Sequence, residues 1–151
     1  MTKSKRLKPI IKIAEEREQQ AVREYLEVQK LHRERETRLT ELVNYKEEYQ
    51  SKFLATDSES RSVFQFNDYR AFLQRLDFTI GEQKKLVLAS ENELQIKREA
   101  WLKMREKAQA LEKAADRFLS EELALQNKKE QKETDERAQR LAATRVDDDY
   151  S

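Results

Sequence analysis

Apolar residues recur through the second half of the chain at alternating spacings of three and four. From Phe66 to Leu125 this walk visits 18 positions, of which 14 are apolar or aromatic. An average spacing of 3.5 residues, sustained over this length, is typical of a coiled-coil seam. A straight helix of period 3.6 would drift away from its partner, so the pattern predicts a left-handed supercoil. The polar interruptions are Gln83, Ser90, Lys97 and Glu122.

The first half repeats the walk more weakly, from Ala14 to Phe53. Neither proline nor glycine interrupts it. Pro9 has a fixed φ and no amide hydrogen, which suits the first turn of a helix. We therefore predict helix one over about residues 8–55. The polar interruptions of this seam are Glu18, His32, Arg35 and Lys46.

Short polar side chains fill residues 56–61, and such side chains favour turns. Ser62 and Gln65 have the spacing of a capping box just before the strong seam begins. We predict a turn over about residues 56–61, helix two over about 62–143 and a flexible tail over 144–151.

Two long seams joined by one short turn predict an all-α fold: a single domain, 1–151, forming a long two-helix antiparallel coiled-coil hairpin. Placing Phe53 opposite Phe66 sets the register. The other predicted pairs are Tyr49 with Tyr69, Lys46 with Leu73, Leu42 with Leu76, Leu39 with Ile80, Arg35 with Gln83, Val28 with Ser90 and Tyr25 with Leu94. On the flanks we expect Tyr45 near Phe72 and Glu36 near Lys84.

Helix two is longer than helix one and should overhang it. In this register helix one ends opposite about residue 111, which leaves roughly 30 residues of helix two beyond it, or about 45 Å. The overhang carries apolar residues that then lack an intrachain partner: Ala114, Ala115, Phe118, Leu119, Leu123 and Leu125.

Composition supports long helices over a globular core. Of the 151 residues, 40% are charged and 37% hydrophobic, with one glycine and one proline. A disordered chain would lack the sustained period. The net charge of +1 gives no overall attraction to nucleic acid, and no run of about 18 apolar residues could cross a membrane. With no cysteine and no signal peptide, we expect a soluble cytoplasmic protein.

The sequence offers little catalytic chemistry, so we expect no enzyme, no cofactor and no metal. A single glycine excludes a glycine-rich phosphate loop. The one histidine, His32, occupies a seam position, where a polar residue usually specifies register. Without cysteine or a second histidine, a common metal site is not expected.

Two surfaces could bind other proteins. Tyr45 and Phe72 lie at flanking positions near the turn and should be partly exposed, which favours a protein-binding patch. The apolar overhang must meet water, a second copy or another protein, and a helix laid into an apolar sleeve would use it.

Three segments together resemble one family: "LVNYKEEYQSKF" before the turn, "NDYRAFLQRLDFTI" after it, and "WLKMREKAQALEK" further on. The chain is similar along nearly its whole length to the FliJ family of flagellar export proteins. The resemblance implies a cytoplasmic, non-enzymatic component of the flagellar type III export apparatus, located peripherally at the inner membrane. It implies an antiparallel coiled coil like the central stalk of rotary ATPases.

The resemblance also implies partners: a hexameric export ATPase, the cytoplasmic part of the export gate, and export chaperones. It places gate contacts at Arg38, Leu42, Tyr45, Tyr49, Phe72, Leu76, Thr79 and Gln83. We expect contacts with the ATPase ring at Ile10, Ile11, Ile13, Phe118, Leu119 and Leu123. No nucleic acid and no direct membrane insertion are implied.

Two alternatives remain open from the sequence. A self-associating coiled-coil scaffold would pair the overhang with a second copy, and a lasting dimer through residues 112–143 would favour it. The equivalent stalk of a virulence type III secretion system would have the same pattern of residues.

Overall fold

The protein is built from two long α-helices. The computed structural model describes residues 2–56 and 61–149, in which α1 runs over Lys3–Ala55 and α2 over Val63–Asp149. The described residues contain no strand, and the two helices pack against each other. The predicted all-α helical hairpin is therefore confirmed. No helix in these ranges has a stretch both long and apolar enough to cross a membrane.

Each helix contributes to two compact units. One, which we call the turn unit, consists of Glu18–Lys103 and contains the end of α1 and the start of α2. The other, the terminal unit, combines the residues up to Arg17 with those from Met104 onwards. In the turn unit Phe53 contacts Phe66 and Tyr25 contacts Trp101, so the two segments are antiparallel. In the terminal unit Ser4 bonds to Glu122 while Ile10 lines a groove with Met104, which gives the same order.

The core of the turn unit is the predicted seam. Leu76, Ile80 and Val87 are buried, and so are three of the polar seam residues, His32, Gln83 and Ser90. Apolar burial of this kind contributes about 25 cal/mol for each Å² removed from water. The seam is continuous across its polar positions because those side chains find partners.

The register near the turn is confirmed by direct contacts. The Phe53 and Phe66 rings lie 6.3 Å apart and those of Tyr49 and Tyr69 lie 5.6 Å apart, centroid to centroid. Further from the turn, Gln83 Nε2 donates a hydrogen bond of 3.1 Å to the carbonyl oxygen of Arg35. Tyr45 also meets Phe72, as predicted, at 6.2 Å.

Several contacts fall further along α2 than the register predicts, and the first is at the turn, where Phe53 stacks on Tyr69 at 3.7 Å, closer than on Phe66. Ser90 bonds to His32 rather than meeting Val28, and Lys46 pairs with Asp77 at 2.5 Å. Tyr25 stacks on Trp101 at 5.8 Å, about two turns beyond the predicted Leu94. The cause is side-chain direction, since helical side chains lean toward the N-terminus of their own helix. In an antiparallel pair the two side chains therefore reach toward each other from staggered backbone positions.

The helix ends beside the turn are capped on both sides. Ser62 N–H donates to Gln65 Oε1 and Gln65 N–H donates to Ser62 Oγ, both at 3.1 Å, so the predicted capping box is confirmed. The Arg61 guanidinium donates to the last carbonyl oxygens of α1, at Leu54 and Thr56, and lies 4.3 Å from the Phe53 ring centroid. The rest of the predicted turn, residues 57–60, lies outside the described residues.

Helix one begins earlier than predicted. It starts at Lys3 instead of near residue 8, and Pro9 lies inside it. The prediction relied on the preference of Pro9 for the first turn of a helix. The first turn is instead held by contacts of Thr2 and Ser4, which do not involve Pro9. Thr2 accepts hydrogen bonds from backbone N–H groups of the first turn, and Ser4 donates to Glu122 through its N–H at 3.2 Å and its Oγ at 2.6 Å.

The overhang is consequently shorter than predicted. Because α1 reaches Glu122, several residues that were expected to lack a partner have one: Ala115 and Leu119 border a groove shared with α1, and Lys3 Nζ lies 5.4 Å from the Phe118 ring centroid. Residues 123–148 are exposed throughout. The predicted flexible tail, 144–151, is helical as far as Asp149, and its last two residues lie outside the described part.

Candidate functional site

An aromatic cluster forms beside the turn, on the face that the sequence predicted. We call Tyr45, Tyr49 and Phe72 the aromatic patch. Tyr45 meets Phe72 edge-on at 6.2 Å and lies 6.5 Å from Tyr49, while Tyr49 and Phe72 are 4.5 Å apart, centroid to centroid. Edge-on and tilted ring pairs stabilise one another beyond the area they bury. These contacts hold the three aromatic rings in place, although Tyr45 is 50% exposed.

A groove of about 560 Å³ continues from the patch along the turn unit. It combines apolar, hydroxyl and charged groups from both helices. Its lining residues are Arg38, Glu41, Leu42, Tyr45, Thr79 and Gln83. Five of these belong to the eight predicted gate contacts, so the resemblance named residues that the structure brings to one groove. It missed Glu41, which the three-residue spacing from Arg38 could have placed on the same side of α1.

The structure gives the predicted gate residues different degrees of access. Leu76 and Gln83 are only 7% and 6% exposed, because both lie in the seam. Thr79 Oγ1 donates to the Arg75 carbonyl oxygen within α2. Arg38 is exposed. A partner on this face would thus contact the aromatic edges and the charged rim, while Leu76 and Gln83 support them from the core.

The six residues predicted to contact the ATPase ring lie in the terminal unit, but they do not form one surface. Ile10 and Ile13 border a groove of about 400 Å³ with Met104, Ala110 and Leu111. Arg17 and Lys107 add positive charge to its lining. Ile11 lies elsewhere, because successive helical residues are turned about 100° from each other.

The second groove, of about 540 Å³, is bordered by three more of the residues predicted to contact the ATPase ring. Ile11, Leu119 and Leu123 border it together with the basic residues Lys5 and Lys8. Leu119 and Leu123 are 48% and 51% exposed, close to the values of 49% and 50% for the isoleucines of the first groove, Ile10 and Ile13. Phe118 borders neither groove and lies half-buried under cations from Lys3 and Arg117.

A carboxylate fixes one end of the second groove. Glu122 accepts both hydrogen bonds from Ser4, and the Ser4 hydroxyl above all lowers the pKa of Glu122, although burial opposes the shift. On α1 in the turn unit, hydrogen bonds from Gln20 and then from Lys97 of α2 likewise lower the pKa of Glu24. Both glutamates therefore stay ionised at neutral pH and join the two helices by charged contacts.

One polar cluster around the buried His32 was not foreseen. His32 is 8% exposed, and its two ring nitrogens face Ser90 and Glu36. Glu36 had been expected near Lys84, but its carboxylate lies 2.5 Å from His32 Nε2. Glu91, next to Ser90 on α2, brings a second carboxylate to the same place. Neither seam spacing nor composition predicts this cluster, because Glu36 and Glu91 belong to the helix flanks.

Comparison with known proteins gives one match. No curated protein and no solved structure matches the chain. A family model described as the flagellar FliJ protein matches residues 3–146, which is nearly the whole chain. The resemblance found in the sequence is thereby confirmed. The chain belongs to the flagellar FliJ family and is a component of the flagellar export apparatus.

Proposed function

We propose that this protein is a non-enzymatic coupling element of the flagellar export apparatus, similar to a central stalk. Its terminal unit enters the ring of the export ATPase and promotes the ring's assembly and activity. Its turn unit binds the cytoplasmic part of the export gate, and export chaperones are further partners. The protein works in the cytoplasm, peripherally at the inner membrane. The observation that carries the proposal is the half-exposed aromatic patch on a chain of this family.

The composition of the aromatic patch supports its role as a binding surface. Tyrosine and phenylalanine offer a large contact area at a low cost in side-chain entropy, and interface cores are enriched in them. Arg38 and Glu41 supply charges of both signs at its rim. An apolar centre with a polar rim is the usual anatomy of a protein interface, and such aromatic anchors contribute most of the binding free energy.

The grooves of the terminal unit support contact with a surrounding ring. Each combines exposed isoleucine or leucine side chains with basic residues on its lining. The isoleucines Ile10 and Ile11 open onto different grooves, so a sleeve around this unit could contact both at once. In the first groove Arg17 and Lys107 favour a sleeve that offers apolar and acidic side chains, whereas the second groove carries both signs, with Lys5 and Lys8 beside Asp116 and Glu122.

The aromatic patch can be tested by measuring gate binding. Phe72→Ala should weaken binding of the purified cytoplasmic part of the gate by at least about tenfold, because a truncated interface anchor typically costs more than 1 kcal/mol. Tyr45→Ala should have an effect of similar size. Binding is measured by isothermal titration calorimetry, and circular dichroism checks that helix content is unchanged.

The matched control for this test is Leu88→Ala. Leu88 is 64% exposed on α2 and belongs neither to the aromatic patch nor to the groove beside it. It should bind the gate as the wild-type chain does. Normal binding by both Phe72→Ala and Tyr45→Ala would show that the gate contacts another surface.

A further inference from the structure

The hydrogen bonds around His32 determine which of its nitrogens carries a proton. Ser90 Oγ lies 2.9 Å from the Val87 carbonyl oxygen and 2.7 Å from His32 Nδ1. A carbonyl oxygen can only accept, so the single hydroxyl hydrogen of Ser90 goes to Val87. Ser90 Oγ therefore accepts from the Nδ1–H of His32. In the neutral imidazole this leaves a lone pair on Nε2.

That lone pair faces a carboxylate. Glu36 Oε1 lies 2.5 Å from His32 Nε2, which is closer than an ordinary N–H···O hydrogen bond. Two bare acceptors at this distance repel each other, so without a metal ion a proton joins them. A divalent ion with bonds of about 2.0–2.2 Å would replace that proton and hold the two atoms roughly 3 Å apart. Glu91 converges on the same point from α2, since one ligand atom from each of the three side chains lies within 4.8 Å of the others.

We propose that His32, Glu36 and Glu91 bind a divalent transition-metal ion, with zinc as the best match. Imidazole nitrogen together with carboxylate oxygen is a donor set that zinc accepts, at about 2.0–2.2 Å for each bond. Three protein ligands leave the fourth tetrahedral position to water. Glu36 and Glu91 are exposed, so their side chains can rotate to bring a carboxylate oxygen of each to bonding distance of an ion.

The buried side of the cluster is built as metal sites are built. A metal-bound histidine usually donates its other N–H to an oxygen acceptor, which fixes the ring and its tautomer. Here the acceptor is Ser90 Oγ, which is 0% exposed and is itself held by Val87. His32 is thus oriented before any ion arrives.

Such an ion would join the two helices of the turn unit. His32 and Glu36 lie one turn apart on α1, while Glu91 belongs to α2. A ligand that binds the folded chain and not the unfolded one raises the midpoint of thermal unfolding. The function of the site would be to clamp the hairpin at a polar layer of its seam.

Zinc binding to the full-length chain tests the site. The chain has no cysteine and one histidine, so any affinity tag is removed before titration. By isothermal titration calorimetry, wild-type protein should bind one zinc ion per chain and melt at a higher temperature in zinc than in a chelator. Glu36→Gln and Glu91→Gln should each weaken zinc binding by at least about tenfold, through loss of a charged ligand. Both substitutions keep side-chain size, and circular dichroism verifies the helix content.

The controls are Glu34→Gln on α1 and Glu93→Gln on α2, both at exposed positions outside the cluster. They should bind zinc as the wild-type chain does. The proposal is overturned if wild-type protein shows no zinc binding at 100-fold molar excess. It is equally overturned if Glu91→Gln retains wild-type affinity, because zinc would then not bridge the helices.

Discussion

Several polar side chains in the seam of this hairpin are held by a partner on the other helix. The three-four walk identified Gln83, Ser90 and Glu122 as interruptions of the seam, and all three have partners on α1. The partners themselves were only partly predictable. Gln83 bonds to Arg35 as expected, whereas Ser90 bonds to His32 because the histidine leans toward the N-terminus of its helix. The periodicity predicts which backbone positions lie opposite each other on the two helices. The length and direction of the side chains then decide which residues touch.

Glu122 makes stability depend on pH. Its pKa is lowered in the folded chain, chiefly by the Ser4 hydroxyl, so its contribution is fully present above the unfolded-state pKa of about 4.3 and is lost as pH falls through the lowered value. Glu122→Gln should therefore lower the thermal midpoint at neutral pH and have little effect near pH 2. Circular dichroism melts at the two pH values measure this.

The neighbouring substitution Glu121→Gln is the control, since Glu121 is exposed. It should leave the thermal midpoint nearly unchanged at neutral pH. An equal effect of the two substitutions at neutral pH would mean that the Ser4–Glu122 contact adds no stability in solution.

At the scale of the helices, boundaries set by local chemistry were predicted and boundaries set by distant contacts were not. The start of α2 follows from Ser62 and Gln65, which are three residues apart, and the capping box forms as expected. The start of α1 depends on Ser4 meeting Glu122, which no local pattern reveals. The preference of Pro9 for a first turn was outweighed by that contact.

The cap at the start of α2 has a measurable effect on stability. Ser62→Ala should lower the free energy of unfolding by about 1 kcal/mol, because the Gln65 N–H then loses the Ser62 hydroxyl that accepts its hydrogen bond. Urea titration followed by circular dichroism measures the loss. Ser51→Ala provides the comparison, since Ser51 is an exposed residue inside α1, where alanine is the better helix former. If Ser62→Ala is no less stable than Ser51→Ala, the cap is not formed in solution.

At the scale of the whole molecule, the sequence predicted the fold class and the face of the aromatic patch. Both follow from periodicity, which places seam residues inside and flanking aromatics at the surface. The residues predicted to contact the ATPase ring are divided between two grooves, which was not predicted. They had been grouped as apolar residues near the chain ends, without regard to the side of the helix on which each one lies. The cluster of His32, Glu36 and Glu91 was missed for a related reason, since its two carboxylates lie outside the seam.

The proposed role of the terminal unit in this flagellar export component is to act on an ATPase ring. The most direct measurement is the ATP hydrolysis rate of the purified export ATPase with and without the chain. Wild-type protein should stimulate hydrolysis, and Ile13→Asp and Leu119→Asp should each reduce stimulation by roughly tenfold at limiting concentration, since they place a charge in one groove each. Tyr45→Ala should stimulate normally. No stimulation by the wild-type chain, or full stimulation by both aspartate variants, would contradict the account.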